Sequence, residues 1–201
     1  MVPCVAAILL AAGQSRRMGT CKQLLPLEGR TIIARSLEML LAGGVGELIV
    51  VIGPDGDEVA RAVRNYPVTI VRTTDTRGDM ATSVRTGRDL LSPAASAAVI
   101  ALCDYPLVTA ATIARLVEAH HLNPHAIIIP CHNGLRGHPP LFPRHLLDTL
   151  VAPLTLRDLL RSNPERIECL ESGDAGVLID MDTPEDYRRI TELLEAGHGM
   201  N

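Results

Sequence analysis

Two uninterrupted apolar runs constrain the fold more than any other feature of the chain. Val5–Leu10 (VAAILL) and Ala97–Cys103 (AAVIALC) contain no polar residue. A strand with one face in water alternates polar and apolar residues, whereas these runs read as strands covered on both sides. Between and after them, strand-like and helix-like segments take turns, which predicts a mostly parallel sheet with crossover helices on both faces, an α/β/α sandwich. Thr31 caps a predicted helix to about Ala42, where Gly43 and Gly44 stop it. Leu48–Ile52 follows as a strand, Asp57–Asn65 as a short amphipathic helix, Val68–Val71 as a third strand, and Ala81–Leu91 as a helix. Thr109 caps a helix to about His121, before a strand at Ala126–Pro130 and helical stretches near His145–Leu150 and Leu156–Arg161. Strands are expected at Ile167–Leu170 and Val177–Asp180, and Thr183-Pro184-Glu185 opens a terminal helix. With 201 residues, no internal repeat and no linker-like stretch, the chain reads as a single domain over residues 1–201.

Composition narrows the partners. Phe142, three tyrosines and no tryptophan leave Ala, Leu, Val and Ile to fill the core, and supply few stacking platforms for single-stranded nucleic acid. A net charge of −4 argues the same way against nucleic acid and anionic membranes. No apolar stretch reaches the roughly 18 residues of a membrane span, and the N-terminus lacks the charged start of a signal peptide. Cysteines 4, 21, 103, 131 and 169 are scattered, odd in number and without a C-x-x-C pair, so they are expected as reduced thiols of a cytoplasmic protein. His120, His121, His125 and His132 show no metal-ligand spacing, and surface or capping roles account for most of the histidines.

The first apolar run empties into LAAGQSRRMGTCKQLLPL, residues 10–27, where Arg16, Arg17 and Lys22 fall within seven residues alongside Gly13 and Gly19. Glycines let backbone N–H groups approach a ligand, and convergent cations neutralise phosphate oxygens. A net-acidic chain that gathers cations there points to a bound polyanion. The P-loop spacing fails, as do the dinucleotide fingerprint and the G-x-S-x-G nucleophile elbow. The competing account is an ordinary solvated loop between strand and helix.

Asp104 follows directly on AAVIALC. A carboxylate at the mouth of a buried strand is costly unless something uses its charge. Mg²⁺ would, since it takes one or two protein carboxylates and completes its shell with water and phosphate oxygens. The alternative is an Asp serving the Asp-Tyr-Pro turn. Asp180 and Asp182 are a second acidic pair, with Asp182 the better candidate for a metal contact and helix capping the competing role for that segment. In parallel sheets ligands collect beyond the carboxyl ends of the strands, which places the Gly13–Lys22 loop, the Thr73–Ser83 loop and Asp104 around one crevice.

These segments resemble the molybdenum-cofactor nucleotidyltransferases, closest to the CTP-dependent molybdopterin cytidylyltransferase branch. LAAGQSRRMGTCKQLLPL is similar to that family's nucleotide loop, RGDMATSVRTG (77–87) to its second nucleotide segment, and ALCDYPLV (101–108) to its metal-binding stretch. RGHPPLF (136–142) is similar to its substrate loop and DMDTPEDY (180–187) to its terminal motif. The resemblance implies a Rossmann-like nucleotidyltransferase fold and a Mg²⁺-dependent transfer of CMP from CTP to the phosphate of molybdopterin, with Mn²⁺ as the alternative ion. It implies Arg17, Lys22 and Asp104 as the catalytic residues. Gly13, Arg17 and Lys22 would hold triphosphate; Leu10, Ala11, Ala12, Thr82, Ser83, Gly87 and Asp104 complete the nucleotide site. His138 and Arg157 would face the second substrate, and Asp104 with Asp182 the metal. Guanylyl-transferring relatives carry Gly where Ala12 stands, and a methyl group there narrows the slot in favour of a pyrimidine. The expected partners are CTP, a molybdopterin-type cofactor and an acceptor molybdoenzyme or its maturation chaperone, with no nucleic acid and no membrane.

Departures concentrate on the acceptor side. The family usually has Gly at Cys103, Gln or Met at Tyr105 and Val at Pro140, and a Gly-Asp-x-Gly-Ala-Arg stretch expected around 152–157 reads APLTLR, keeping only Arg157. Transfer to a sugar or polyol phosphate therefore stays open, as does an oxidoreductase or cofactor chaperone on the same scaffold.

Overall fold

A computed structural model describes residues 4–13, 15, 18–74 and 79–198. Strand β1 (Cys4–Ala11) lies in the middle of the main sheet, between β4 (Glu47–Ile52) and β6 (Ala95–Leu102), and is parallel to both. The short strands β2 (Pro26–Leu27) and β3 (Arg30–Thr31) form a separate hairpin. β5 (Thr69–Arg72) extends the sheet beyond β4. On the other side run β7 (Ile127–His132), β9 (Leu141–Pro143) and β10 (Ile167–Glu171), with β8 (Leu135–Arg136) pairing β7, so the order is β10-β7-β9-β6-β1-β4-β5.

The parallel core matches expectation, apart from the short β8, which pairs antiparallel at β7, and β9 within the strand order. β9 sits antiparallel between β6 and β7, pairing Ala98 with Phe142 and Ile128 with Leu141. Three residues that follow two prolines and end on a third carry too little periodicity to announce a strand, although all three are buried.

Alternate β1 side chains feed two cores. Val5, Ala7, Leu9 and Ala11 meet helices α1 (Ile32–Ala42), α2 (Asp57–Val63), α4 (Ala110–Leu122) and α7 (Pro184–His198). Ala6 and Ile8 meet α3 (Met80–Arg88), α5 (Arg144–Leu147) and α6 (Leu156–Ser162) on the opposite face. Alanines dominate both central strands, and this lets helices approach closely. At Gly87 on α3 an added Cβ would lie 2.5 Å from Ile8 Cγ2.

Helix starts follow their caps. Thr31, Asp79, Thr109 and Thr155 each accept backbone N–H bonds at the first turn, and Thr155 with Asp158 makes a reciprocal capping box.

Two expectations are corrected. Val177–Asp180 is no strand: Ala175–Leu178 is a short 3₁₀ turn whose Gly176 amide donates to the Asp174 carboxylate. Val177 is buried and Leu178 and Ile179 are partly buried by packing against the core rather than by strand pairing. The cysteines are also not all reduced, because Cys131 on β7 and Cys169 on β10 form a disulfide. Parallel pairing sets Cys169 opposite Ile129 and Cys131 opposite Glu171, so the two sulfurs face each other diagonally across adjacent strands. A separation of 38 residues gives no hint of this in the sequence. Among the described residues no helix is long and apolar enough to cross a membrane.

Candidate active site

The carboxyl ends of β1, β4 and β6 open on one cleft, as the parallel topology requires. Its larger part, about 610 Å³, lies between the loop after β1 (Ala11, Ala12, Gly13, Ser15) and the loop after β4 (Gly53 to Gly56). The second loop is held by Arg72, whose guanidinium donates to the Gly53 and Pro54 carbonyls and pairs with Asp57. A smaller chamber of about 140 Å³ runs beneath Ala12 and Gly13 toward Lys22, Ser83 and Asp104.

At the floor of that chamber three charged side chains meet. Lys22 Nζ lies 3.1 Å from Asp104 Oδ2 and 3.1 Å from Asp182 Oδ1, and donates to the Met181 carbonyl at 3.3 Å. Backbone pairing assembles the cluster: the Met181 N–H donates to the Asp104 carbonyl at 2.8 Å, and this clamps the segment before α7 against the end of β6. Lys22 itself enters on a short 3₁₀ turn at Lys22–Leu24 and is only 9% exposed. Burial on its own lowers a lysine pKa, but the Asp104 and Asp182 carboxylates outweigh it and hold Lys22 above its ordinary value. The ammonium is therefore charged at neutral pH.

The competing capping role for the acidic segment falls to other residues. Asp186 accepts from the Asp182 and Thr183 amides and the Thr183 hydroxyl, while Thr183 Oγ1 accepts from the Asp186 amide. The Asp182 carboxylate accepts from Lys22. Asp180 is exposed.

Asp104 Oδ1 is buried and without a hydrogen-bond partner. An orphaned carboxylate oxygen beside a second carboxylate suits a hard divalent cation that completes its shell with phosphate and water oxygens. Asp104 and Asp182 would be its protein ligands. No group of three or more His, Cys, Asp or Glu side chains placed to hold a metal gathers among the described residues.

Other expected site residues fall into place unevenly. Leu10, Ala12, Gly13 and Ser83 line the inner chamber, and Ala11 lines the outer one. Thr82 sits at the first turn of α3, bonded to the capping Asp79 through its amide and hydroxyl. Gly87 lies a turn further on and packs against Ile8 and Val51. Arg17 lies outside the described residues. His138 stacks on Tyr105 with ring centroids 4.6 Å apart, and its amide donates to the Val177 carbonyl. Burial lowers the His138 pKa despite nearby Asp104 and Asp180, so the ring is neutral, and its Nδ1 is buried without a partner. Burial and the neighbouring Asp180 and Asp104 carboxylates push Tyr105 up to about 12. Arg157 is exposed on the first turn of α6.

Two residues were invisible beforehand. Tyr105 counted only as a departure from pattern, and its stacking partner lies 33 positions away in sequence. Gln23, 2% exposed, forms the wall shared by both chambers. The signal was a polar residue at the head of an apolar run, beside a lysine already singled out.

Comparison with known proteins places the chain in a family. The MobA-like NTP transferase domain is matched over residues 7–167. The chain belongs to that family. This MobA-like chain is 29% identical to a molybdenum cofactor cytidylyltransferase of Escherichia coli strain K12 over 94% of its length and 98% of the relative's. It is also 29% identical to a nicotine blue oxidoreductase of Paenarthrobacter nicotinovorans, over 94% and 97% of the two chains. Among solved structures, Rv0371c of Mycobacterium tuberculosis H37Rv superposes with a TM-score of 0.85 at 30% identity, covering 96% of this chain and 99% of the other. A manganese complex of the same protein superposes at 0.81, with 28% identity and coverage of 96% and 100%. The fold of this MobA-like chain is the mostly parallel nucleotidyltransferase sheet with helices on both faces.

Proposed function

We propose that this MobA-like chain transfers CMP from CTP to the phosphate of a molybdopterin-type cofactor in a Mg²⁺-dependent reaction and releases pyrophosphate. The observation that carries the reading is the Lys22 ammonium held 3.1 Å from both Asp104 and Asp182 at the floor of the cleft. Resemblance to a cytidylyltransferase over nearly the whole chain favours CTP and the pterin acceptor.

In the reaction an acceptor phosphate oxygen bonds to the α-phosphorus as the bond from that phosphorus to the pyrophosphate oxygen breaks. A phosphate is already ionised near neutral pH, so no side chain must remove a proton. The protein's task is alignment and charge compensation. Ala12 and Gly13 offer close backbone approach to the nucleotide, and Ala12 narrows the space beside the base. Lys22, with Arg17, compensates triphosphate charge. A divalent ion on Asp104 and Asp182, Mg²⁺ or Mn²⁺, supplies Lewis-acid stabilisation of the phosphoryl oxygens when bound. His138 and Tyr105 stand next to Asp104 on the acceptor side.

A second reading is an oxidoreductase on the same scaffold, favoured by the relative named nicotine blue oxidoreductase. Transfer to a sugar or polyol phosphate is a variant of the first. Incubation with each nucleoside triphosphate, Mg²⁺ and candidate acceptors, with pyrophosphate followed, separates them. Release with CTP and molybdopterin supports the proposal, and release only with a sugar phosphate redirects it to another acceptor. Saturable binding of NAD(P)H or a flavin with no pyrophosphate formed would favour the oxidoreductase.

A further inference from the structure

The loop after β1 leaves the sheet at Ala11 and reaches Lys22 eleven residues later, and one side chain gathers its parts. Gln23 Nε2 donates to the Ala11 carbonyl at 3.2 Å and to the Gly13 carbonyl at 3.0 Å. Its Oε1 accepts from Ser15 Oγ at 3.3 Å and from Cys21 Sγ at 3.2 Å. A carboxamide has two N–H donors and two acceptor lone pairs, and all four are used. The network also fixes which way round the amide stands, since the flipped amide would set Oε1 against two carbonyl oxygens. Ser15 takes part at a positive φ of 47° and accepts in turn from the Lys22 amide at 3.1 Å. The contacts thus run from the last strand residue of β1 to the lysine that holds Asp104 and Asp182.

We infer that Gln23 is the positioning residue of the nucleotide loop. Its carboxamide sets the peptide orientation of Ala11–Gly13 and thereby the affinity for the triphosphate. In a trans peptide the C=O and N–H point in opposite directions. Capture of the Ala11 carbonyl by Gln23 therefore turns the Ala12 N–H away from the carboxamide, free to serve an anion. Carbonyls of residues 11 and 13 drawn to one point hold the intervening backbone in a single conformation. Without that capture the loop exchanges between orientations, some of which present carbonyl oxygens to phosphate, and binding is weakened by the fraction of time spent in them. The inference rests on the reading of the cleft as a nucleotide site.

Gln23→Met keeps the length and removes both donors, whereas Gln23→Glu sets a carboxylate against the same two carbonyls. Calorimetric titration of CTP with Mg²⁺ reads both affinity and the number of competent sites. The expected result is a Kd about tenfold weaker for Gln23→Met, weaker still for Gln23→Glu, at one site per chain. A purely structural role would lower the number of competent sites and leave Kd unchanged, and that result overturns the inference. Ser15→Ala, which deletes one contact to Oε1, carries the same test with a smaller rise in Kd if the Gln23 variants do not fold. Hydrogen exchange of the segment containing Ala12 and Gly13, without nucleotide, should be faster in each variant than in the wild type. Unchanged exchange contradicts the positioning role whether or not CTP binds. Failure of the wild-type chain itself to bind any nucleotide would instead overturn the proposed function.

Discussion

At the scale of single residues, Asp104 is held between two demands. One oxygen is bonded to Lys22, and the other is buried with nothing to accept. An unmet buried carboxylate oxygen costs stability, so its retention at this point is what a site for a cation requires. Asp104→Asn preserves the shape and the Lys22 contact distance but halves the charge facing the ammonium and removes the anionic metal ligand. Turnover should fall by about 10²-fold or more, while the circular dichroism spectrum stays that of the wild type. A variant retaining full turnover would remove Asp104 from the reaction. Ala12 carries the complementary prediction on specificity. It lines both chambers, and Ala12→Gly opens the slot by one methyl group. The ratio of kcat/KM for CTP over GTP should drop by about tenfold, within the range a single methyl confers in a shaped pocket. An unaltered ratio would show that selection against purines lies elsewhere.

At the scale of elements, helix α3 shows how packing and site are linked. Gly87 lets the helix settle on β1 and β4, and an added Cβ would meet Ile8 Cγ2 at 2.5 Å and Val51 Cγ2 at 3.0 Å. The same helix presents Ser83 to the inner chamber one turn earlier. Gly87→Ala should therefore destabilise the protein by about 1–3 kcal/mol in urea unfolding and shift Ser83 outward. A variant as stable as the wild type would mean that the helix moves freely on the sheet. Elements of this kind were legible in the sequence because their signals are local. Thr31, Thr109 and Thr183 announce helix starts, and unbroken runs such as VAAILL announce strands buried on both faces. Signals that depend on distant partners were not legible. The antiparallel β9 is defined by its two neighbours rather than by its three residues, the Cys131–Cys169 disulfide by the register of β7 with β10, and the Val177 turn by the core it packs against. The same division holds in the site: Lys22 and Asp104 stood out by type and position, whereas Gln23 acts through contacts that only the folded loop creates.

For the whole molecule, the acidic and basic groups of the cleft, with His138, lie at the carboxyl ends of the central strands, and a group of four histidines lies away from them, near the start of β6. His120 at the end of α4 is buried and bonded to Ser96 Oγ at 3.0 Å, near His121, His125 and His145. Burial first, and the neighbouring histidines second, lower its pKa in the folded state, and His145 is lowered for the same reasons. A lowered folded value means that the unfolded chain takes up protons first as pH falls. Stability from these groups is thus complete above the ordinary histidine value near 6.5 and declines as pH falls toward the lowered folded values. Urea midpoints should decrease between pH 7.5 and pH 5.5, and His120→Gln should flatten that decrease. An equal decrease in the variant would assign the acid limb to other groups. The opposite end of the sheet holds the central claim, that Lys22, Asp104 and Asp182 form the floor of a site for a nucleoside triphosphate with its divalent cation. Isothermal titration of the full chain with CTP, with and without Mg²⁺, tests it most directly. The account predicts saturable binding at one site per chain that tightens with Mg²⁺, with that tightening lost in Asp104→Asn. Absence of heat from CTP or any other nucleoside triphosphate in folded protein, at either metal condition, would contradict it.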